Sequence, residues 1–281
     1  MPAPEGGYGP MKTKIQAVVK AMMDRVMDKV LITDPFVPDD HHAKRPLYAA
    51  LVPDEIFKGA HFERRFVTPF GSAWERIAQV AAQEGLGAAE TGHPITGTVC
   101  QERLRRIQEV LNRLEHSAPG QQRCRPDWDT ELAYVLEGDG APIPVTVICD
   151  MFAKNTTTAA TYAFEIKAPL PNSDQTKVSK EKLLKLYAME PAQISNAYYA
   201  LPYNPYGTRG EYAWPFPARW FDMRNDTVVL IGAEFWDKLA GPGTYQAFIE
   251  AVNELGPTYR DRIYREFLGI EPPPAADPVT L

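Results

Sequence analysis

The sequence predicts an α/β protein, with a mixed central sheet flanked by helices and a helical N-terminal portion. Three features carry that expectation. Apolar residues recur at helical spacing in the first hundred-odd residues, strand-like runs follow, and helical periodicity returns between and after those runs.

From Met11 to about Val30 the apolar positions Ile15, Val18, Val19, Met22, Met23, Val26 and Val30 fall on one helical stripe. Two more helices are expected at Ser72 to Gln83 and Thr98 to Leu114. After the loop HSAPGQQRCRP the pattern changes: VTVICDMF is β-branched, ending one strand at Asp150, and TYAFEIKA alternates large apolar with polar residues. A helix is expected at Ser179 to Met189, then the aromatic stretch AYYALPYNPYG, the strand TVVLIG and helices to about Leu268. Without a repeat or a long linker, residues 11–270 read as a single domain, mainly helical over 11–117 and bearing the chemistry over 118–270. Residues 1–10 and 271–281 are rich in Pro, Gly and Ala with little to bury, so both ends are expected to be mobile.

Composition narrows the function. No apolar run reaches the roughly 20 residues that span a bilayer, and MPAPEGGYGP lacks a signal peptide's basic-then-apolar order, so a cytoplasmic protein without membrane contact is expected. Cys100, Cys124 and Cys149 fit neither a disulfide framework nor a zinc site and read as reduced thiols. His41-His42 brings no HxxxH spacing, and GxGxxG, Walker and GxSxG patterns are lacking, so dinucleotide, ATP-driven and serine-hydrolase chemistry have no support. The net charge of −6 argues against a protein that coats nucleic acid, but basic residues cluster at Arg64-Arg65, at Arg103 with Arg105-Arg106, at Arg123 with Arg125, and from Lys177 to Lys185.

The chemistry concentrates at TYAFEIKA. Strand alternation puts Tyr162, Phe164 and Ile166 on one face and Glu165 with Lys167 on the other. The 14 residues between Asp150 and Glu165 include the polar KNTTT turn, so a hairpin would bring Asp150 opposite the neighbourhood of Glu165. Two carboxylates about 4 Å apart repel by roughly 4 kcal/mol at an intermediate effective dielectric, and a divalent cation relieves this. Asp150, Glu165 and the Ile166 carbonyl form an all-oxygen donor set suited to Mg²⁺, with Lys167 free to act on water or phosphate. That is phosphodiester hydrolysis. On its own, an acid-any-Lys triplet is also what a solvated ion-pair face looks like. In the rival Pro126-Asp127 pair, Asp127 is separated from Glu165 by 37 residues, too many for one hairpin.

Asp150 with Glu165-Ile166-Lys167 resembles the PD-(D/E)xK nuclease signature, with Cys149 standing where the motif has proline. The segment YAFEIKAPLPNSDQTKVSKEKLLKLYAM resembles the TdeIII family of type II restriction endonucleases; RRFVTPFGSAWERIAQVAA, ALPYNPYG and VVLIGAEFWDKLAGPGTY extend that likeness from about Phe62 to Tyr245. The resemblance implies a PD-(D/E)xK nuclease-like fold and Mg²⁺-dependent cleavage of double-stranded DNA, with GGNCC as the kind of site. It also implies a homodimer matching a palindrome, and a cognate DNA methyltransferase acting on the same site. It makes Glu75, otherwise an exposed helix acid beside Arg76, a fourth catalytic residue. A structure-directed repair or recombination nuclease and a catalytically silent DNA-binding module remain alternatives.

DNA contacts are expected from Asn172, Gln175, Lys177, Lys180 and Lys182, in the loop and helix after the Glu165 strand. A wet basic face on an amphipathic helix explains the lysines equally well. Asn204 and Arg209, in a Pro/Gly-rich loop, are candidate groove contacts, with a structural turn as the competing explanation.

Overall fold

The polar KNTTT segment does form a turn, and the two strands it joins are neighbours within a five-stranded sheet. The computed structural model describes residues 9–116, 123–275 and 277–280. In chain order the helices and strands are α1 (Gly9–Asp28), α2 (Pro38–Lys44), α3 (Pro46–Ala49), α4 (Asp54–Gly85), β1 (Gly87–Cys100), α5 (Gln101–Glu115), α6 (Trp128–Leu136), β2 (Pro142–Asn155), β3 (Thr161–Ile166), α7 (Ser173–Ala188), β4 (Asn196–Leu201), β5 (Val229–Ile231), α8 (Ala233–Ala240) and α9 (Thr244–Arg262). This is the expected α/β class with a helical N-terminal part.

The sheet is mixed. β1, β2 and β3 are antiparallel neighbours, whereas β4 and β5 run parallel to β3. A parallel neighbour requires a crossover, and α7 supplies it between β3 and β4. Asn172 starts that helix by accepting the Gln175 N–H on its side-chain oxygen at 2.8 Å. Along β2, Val147, Cys149, Met151 and Ala153 are buried on one side, the period-2 signature of a strand packed on a core. Val147 and Cys149 share a cluster with Ile107, Val110, Leu111 and Leu114 of α5, Leu183, Leu184 and Leu186 of α7, and Tyr199, Trp220 and Phe221.

The described chain divides into two compact units. Ala78–Tyr245 contains the whole sheet; the other unit joins the chain up to Ile77 with Gln246–Thr280. In the latter, Lys12 pairs with Glu250 at 3.6 Å, Tyr259 donates to Asp24 at 2.6 Å, and Phe62 packs on Phe267 with ring centroids 5.1 Å apart. Val279 exchanges two hydrogen bonds with the Asn253 side chain, at 2.8 and 2.9 Å, and Gly9 and Pro10 already belong to α1. Residues 1–8, 276 and 281 of the termini expected to be mobile, and 117–122 of the expected loop, lie outside the described residues. Among the described residues no helix is long and apolar enough to cross a membrane.

Several local expectations are corrected. Thr98 to Cys100 belong to a strand, not a helix, and the 14-residue β1 precedes the helix Gln101–Glu115. Its sequence GAAETGHPITGTVC hides it, because Pro94 and Gly92 read as breakers. As an edge strand whose neighbouring strand is β2, β1 tolerates a proline, and Gly92 takes φ +65°, a conformation side chains disfavour. The expected helix at Ser72–Gln83 is the C-terminal part of the much longer α4, which carries Pro69 inside it. β2 does not end at Asp150 but runs on to Asn155, whose side-chain oxygen accepts the N–H groups of Thr157 and Thr158, both at 2.9 Å, to make the turn.

Candidate active site

The β2–β3 register pairs Met151 with Phe164 and Phe152 with Ala163. Continued by one residue beyond the ladder, it sets Asp150 against Glu165, and opposed residues of antiparallel strands share a face. The expected hairpin is therefore the one that forms. Asp150 uses Oδ2 to accept the backbone N–H of Ile166 at 2.8 Å, extending the strand pairing with a side chain.

Lys167 follows directly on β3. Its ammonium donates to Asp150 Oδ2 at 2.6 Å, to Glu165 Oε2 at 3.3 Å and to its neighbour's Ile166 carbonyl at 3.3 Å. The three oxygens named from sequence as a cation's donors thus converge on one positive charge. Glu165 is not on a solvated face: its side chain is 1% exposed, against 20% for Asp150 and for Lys167. Both faces of β3 are covered, since Phe164 packs edge-on against Phe235 of α8 while Ala163 joins the cluster that includes Leu183 and Leu184 of α7.

Burial dominates the electrostatics. It raises the Glu165 carboxyl above its ordinary range, and the nearby Asp150 charge adds to the rise. For Lys167, burial favours the neutral amine, but Glu165 and Asp150 outweigh it and the net shift is upward. Cys149, at the position where the motif has proline, is pushed up to about 12 by burial and by Glu165, so its thiol stays protonated and packs as an apolar group.

A second amine enters that the sequence had assigned to DNA. Lys182, on α7, donates to Glu165 Oε1 at 2.8 Å, to Oε2 at 3.1 Å and to the Ile148 carbonyl at 2.8 Å. The cluster holds two carboxylates and two ammonium groups. Among the described residues no group of three or more His, Cys, Asp or Glu gathers as a metal centre; the oxygen set here is two carboxylates and one main-chain carbonyl.

The other expected DNA contacts separate. Lys180 is corrected: it is fully buried, paired with Glu131 and bonded to the Trp220 carbonyl, beneath the Phe221 ring at 4.9 Å. Asn204 is corrected as well. It is 5% exposed and builds its own turn, donating to the Thr208 carbonyl at 2.7 Å and accepting the Tyr206 N–H at 3.0 Å. Arg209 is occupied by the Met223 carbonyl at 3.0 Å, the Asp226 carbonyl at 2.5 Å and Glu234 at 2.9 Å, so it fastens a loop. Lys177 pairs with Glu115 at 2.5 Å. Asn172 and Gln175 remain exposed at the start of α7, with the Asn172 oxygen engaged as the cap. Glu75 lies half-buried on α4, in the segment belonging to the helical unit. The rival Asp127 is the N-cap of α6, accepting the Thr130 N–H at 3.1 Å, which explains that Pro-Asp pair without catalysis.

A five-stranded mixed sheet flanked by helices, with two acids and a lysine brought together by adjacent strands, defines a nuclease-like class. The chain belongs to the HinfI family of type II restriction endonucleases, whose model matches residues 11–256. It is 27% identical to the type II restriction enzyme HgiCII of Herpetosiphon aurantiacus over 80% of this chain and 82% of that enzyme. It is 28% identical to HgiEI of the same organism over 75% of this chain and 77% of the relative, and 27% identical to HgiBI over the same shares. Type II restriction enzymes are endonucleases that cut double-stranded DNA at specific sites. The class expected from the sequence is the class found; the family that matches is named HinfI, where the sequence likeness had pointed to TdeIII.

Proposed function

We propose that this chain is a Mg²⁺-dependent, site-specific endonuclease whose cutting centre is Asp150, Glu165 and Lys167. The observation that carries the reading is the convergence of Asp150 Oδ2, Glu165 Oε2 and the Ile166 carbonyl on one cationic position, now filled by the Lys167 ammonium. These are hard oxygen donors, few in number, which fits an ion that keeps several of its waters and accepts phosphate oxygens. When bound, Mg²⁺ supplies an activated water and offsets the charge that develops on the phosphodiester. The residues do the rest. Asp150 and Glu165 hold the charge in place from two strands fixed by the sheet register. Lys167, released from the carboxylates, turns its proton-bearing amine to the attacking water or to the phosphate.

The same reading makes Glu75 a fourth catalytic residue, Gln175 and Asn172 contacts to DNA at the start of α7, and the working species a homodimer cutting a two-fold site of the GGNCC kind. Plasmid DNA incubated with the protein and Mg²⁺ tests it. Discrete fragments support the reading, and run-off sequencing of their ends gives the site. A smear points to structure-directed cleavage, and intact plasmid contradicts the reading.

A further inference from the structure

Lys182 has all three of its ammonium hydrogens engaged: two on the Glu165 oxygens, at 2.8 and 3.1 Å, and one on the Ile148 carbonyl, at 2.8 Å. No donor is left for a phosphate. The contrast along the same helix is sharp, because Lys185 pairs with Glu181 at 2.6 Å within α7 and Lys177 with Glu115 at 2.5 Å. Lys182 alone of these reaches across to the acid cluster.

What it does there follows from the burial of Glu165. A carboxylate with a side-chain exposure of 1% has almost no water to hold its orientation. Lys167 touches only Oε2, and at 3.3 Å, the longest of the ammonium–carboxylate contacts in the cluster. Lys182 spans both oxygens and so sets the rotation of the carboxylate about its terminal bond. The Ile148 carbonyl, two residues before Asp150 on β2, ties the amine to the strand that carries the other acid. Helix α7 is thereby linked through one ammonium to β2 and β3.

Resting on the reading of the site given above, we propose that Lys182 is a positioning residue for DNA cleavage, fixing the Glu165 carboxylate toward Asp150 from helix α7, and is not a DNA-phosphate contact. Lys167 is left as the amine that serves the reaction. The division explains why a charge-balanced cluster contains two lysines, one anchored on three acceptors and one directed at the point where the oxygens converge.

The test uses the full chain with Lys182→Met, which keeps the length and the apolar stem without the amine, and Lys182→Arg, which keeps the charge. Three quantities are read: cleavage rate at saturating DNA with Mg²⁺, DNA affinity without divalent ions as a function of salt, and thermal unfolding. For Lys182→Met, the rate at saturation falls by about 100-fold, the scale of a misplaced reacting group. Its DNA affinity stays within about twofold and the salt slope is unchanged, because no phosphate contact is lost. Lys182→Arg regains part of that rate; failure to regain any, with the fold intact, counts against a positioning role. The proposal is overturned by a Lys182→Met rate equal to that of the unaltered protein. It is equally overturned if affinity drops and the salt slope falls by about one, since that is the signature of a lost phosphate contact. Should Lys182→Met fail to fold, Lys182→Gln, which removes the charge but stays polar, is read by the same rate and affinity criteria. Glu165→Ala separates the two levels: cleavage that survives it overturns the reading of the site and the role of Lys182 together. Loss of cleavage in Glu165→Ala with full rate in Lys182→Met overturns only the latter.

Discussion

Asp150 accepts the backbone N–H of Ile166 at 2.8 Å, so the side chain of one strand takes the place of the main-chain partner where the β2–β3 ladder stops. Geometry and charge are separable at this residue. Asp150→Asn keeps an oxygen for the Ile166 N–H while removing the charge that meets Lys167 at 2.6 Å. Expected are a fold unchanged by circular dichroism and a cleavage rate at least about 100-fold lower, the scale seen when one charge-stabilising group is lost. Cleavage at the unaltered rate would remove Asp150 from the cutting centre.

The buried pair of Lys180 and Glu131 is a matter of stability. Removing one partner of a buried ion pair leaves the other charged and unpaired, which costs about 3–5 kcal/mol. Lys180→Met is expected to lower unfolding free energy by that amount in urea titrations, and Lys180→Met with Glu131→Leu to recover most of it. DNA affinity of the folded fraction should not change, because Lys180 has no exposed surface. A loss of affinity without a loss of stability would restore Lys180 as a DNA contact.

Cys149 gives the pH dependence a definite sign. Its folded-state value is raised from 9.0 to about 12 by burial and by Glu165. A raised value means the folded state holds its proton more tightly than the unfolded state does. The stability it confers is complete below pH 9 and is lost as pH rises towards about 12. From pH 9 to 10 the unaltered protein should lose about 1 kcal/mol more than Cys149→Ala does over the same interval. Identical alkaline slopes for the two proteins would refute the assignment.

Metal removal offers a further check. With EDTA present, cleavage should vanish while DNA binding persists at low salt, because phosphate contacts do not need the ion. Binding that tightens in Ca²⁺ without cleavage would agree with a site that demands the near-octahedral geometry of the smaller ion. Undiminished cutting in EDTA would exclude Mg²⁺ as the cofactor.

How much of this was legible beforehand depends on the range of the interaction. Glu165 and Lys167 share a face by strand alternation alone, and Asp150 joins them because only 14 residues, a short polar turn among them, separate it from Glu165 and leave the hairpin little freedom of register. Those are local facts and the sequence carries them. β1 was missed because its strand state is imposed by 13 paired positions along β2 and not by its own composition, which includes Pro94 and three glycines. Lys180 and Lys182, two residues apart, were read alike as a basic face. Helical spacing points them in different directions, one into the aromatic core with Glu131 and the other to Glu165. Only the packing of α7 against the sheet tells them apart. The signal that was available is that a crossover helix must lie back on the sheet it bridges, so a lysine on its inner face needs a buried acid. Asn204 and Arg209 follow the competing expectation, a structural turn: turn-rich composition marks loops, and loop side chains are often consumed by the turn itself.

The central claim is that Asp150, Glu165 and Lys167 cut DNA with Mg²⁺. The most direct measurement is single-turnover cleavage of a plasmid carrying GGNCC sites by the unaltered protein and by Asp150→Ala, Glu165→Ala and Lys167→Ala, each shown to be folded and to bind DNA. Discrete fragments are expected from the first and none from the three variants over the same time course. Fragments of the same pattern and rate from Asp150→Ala and Glu165→Ala would contradict it.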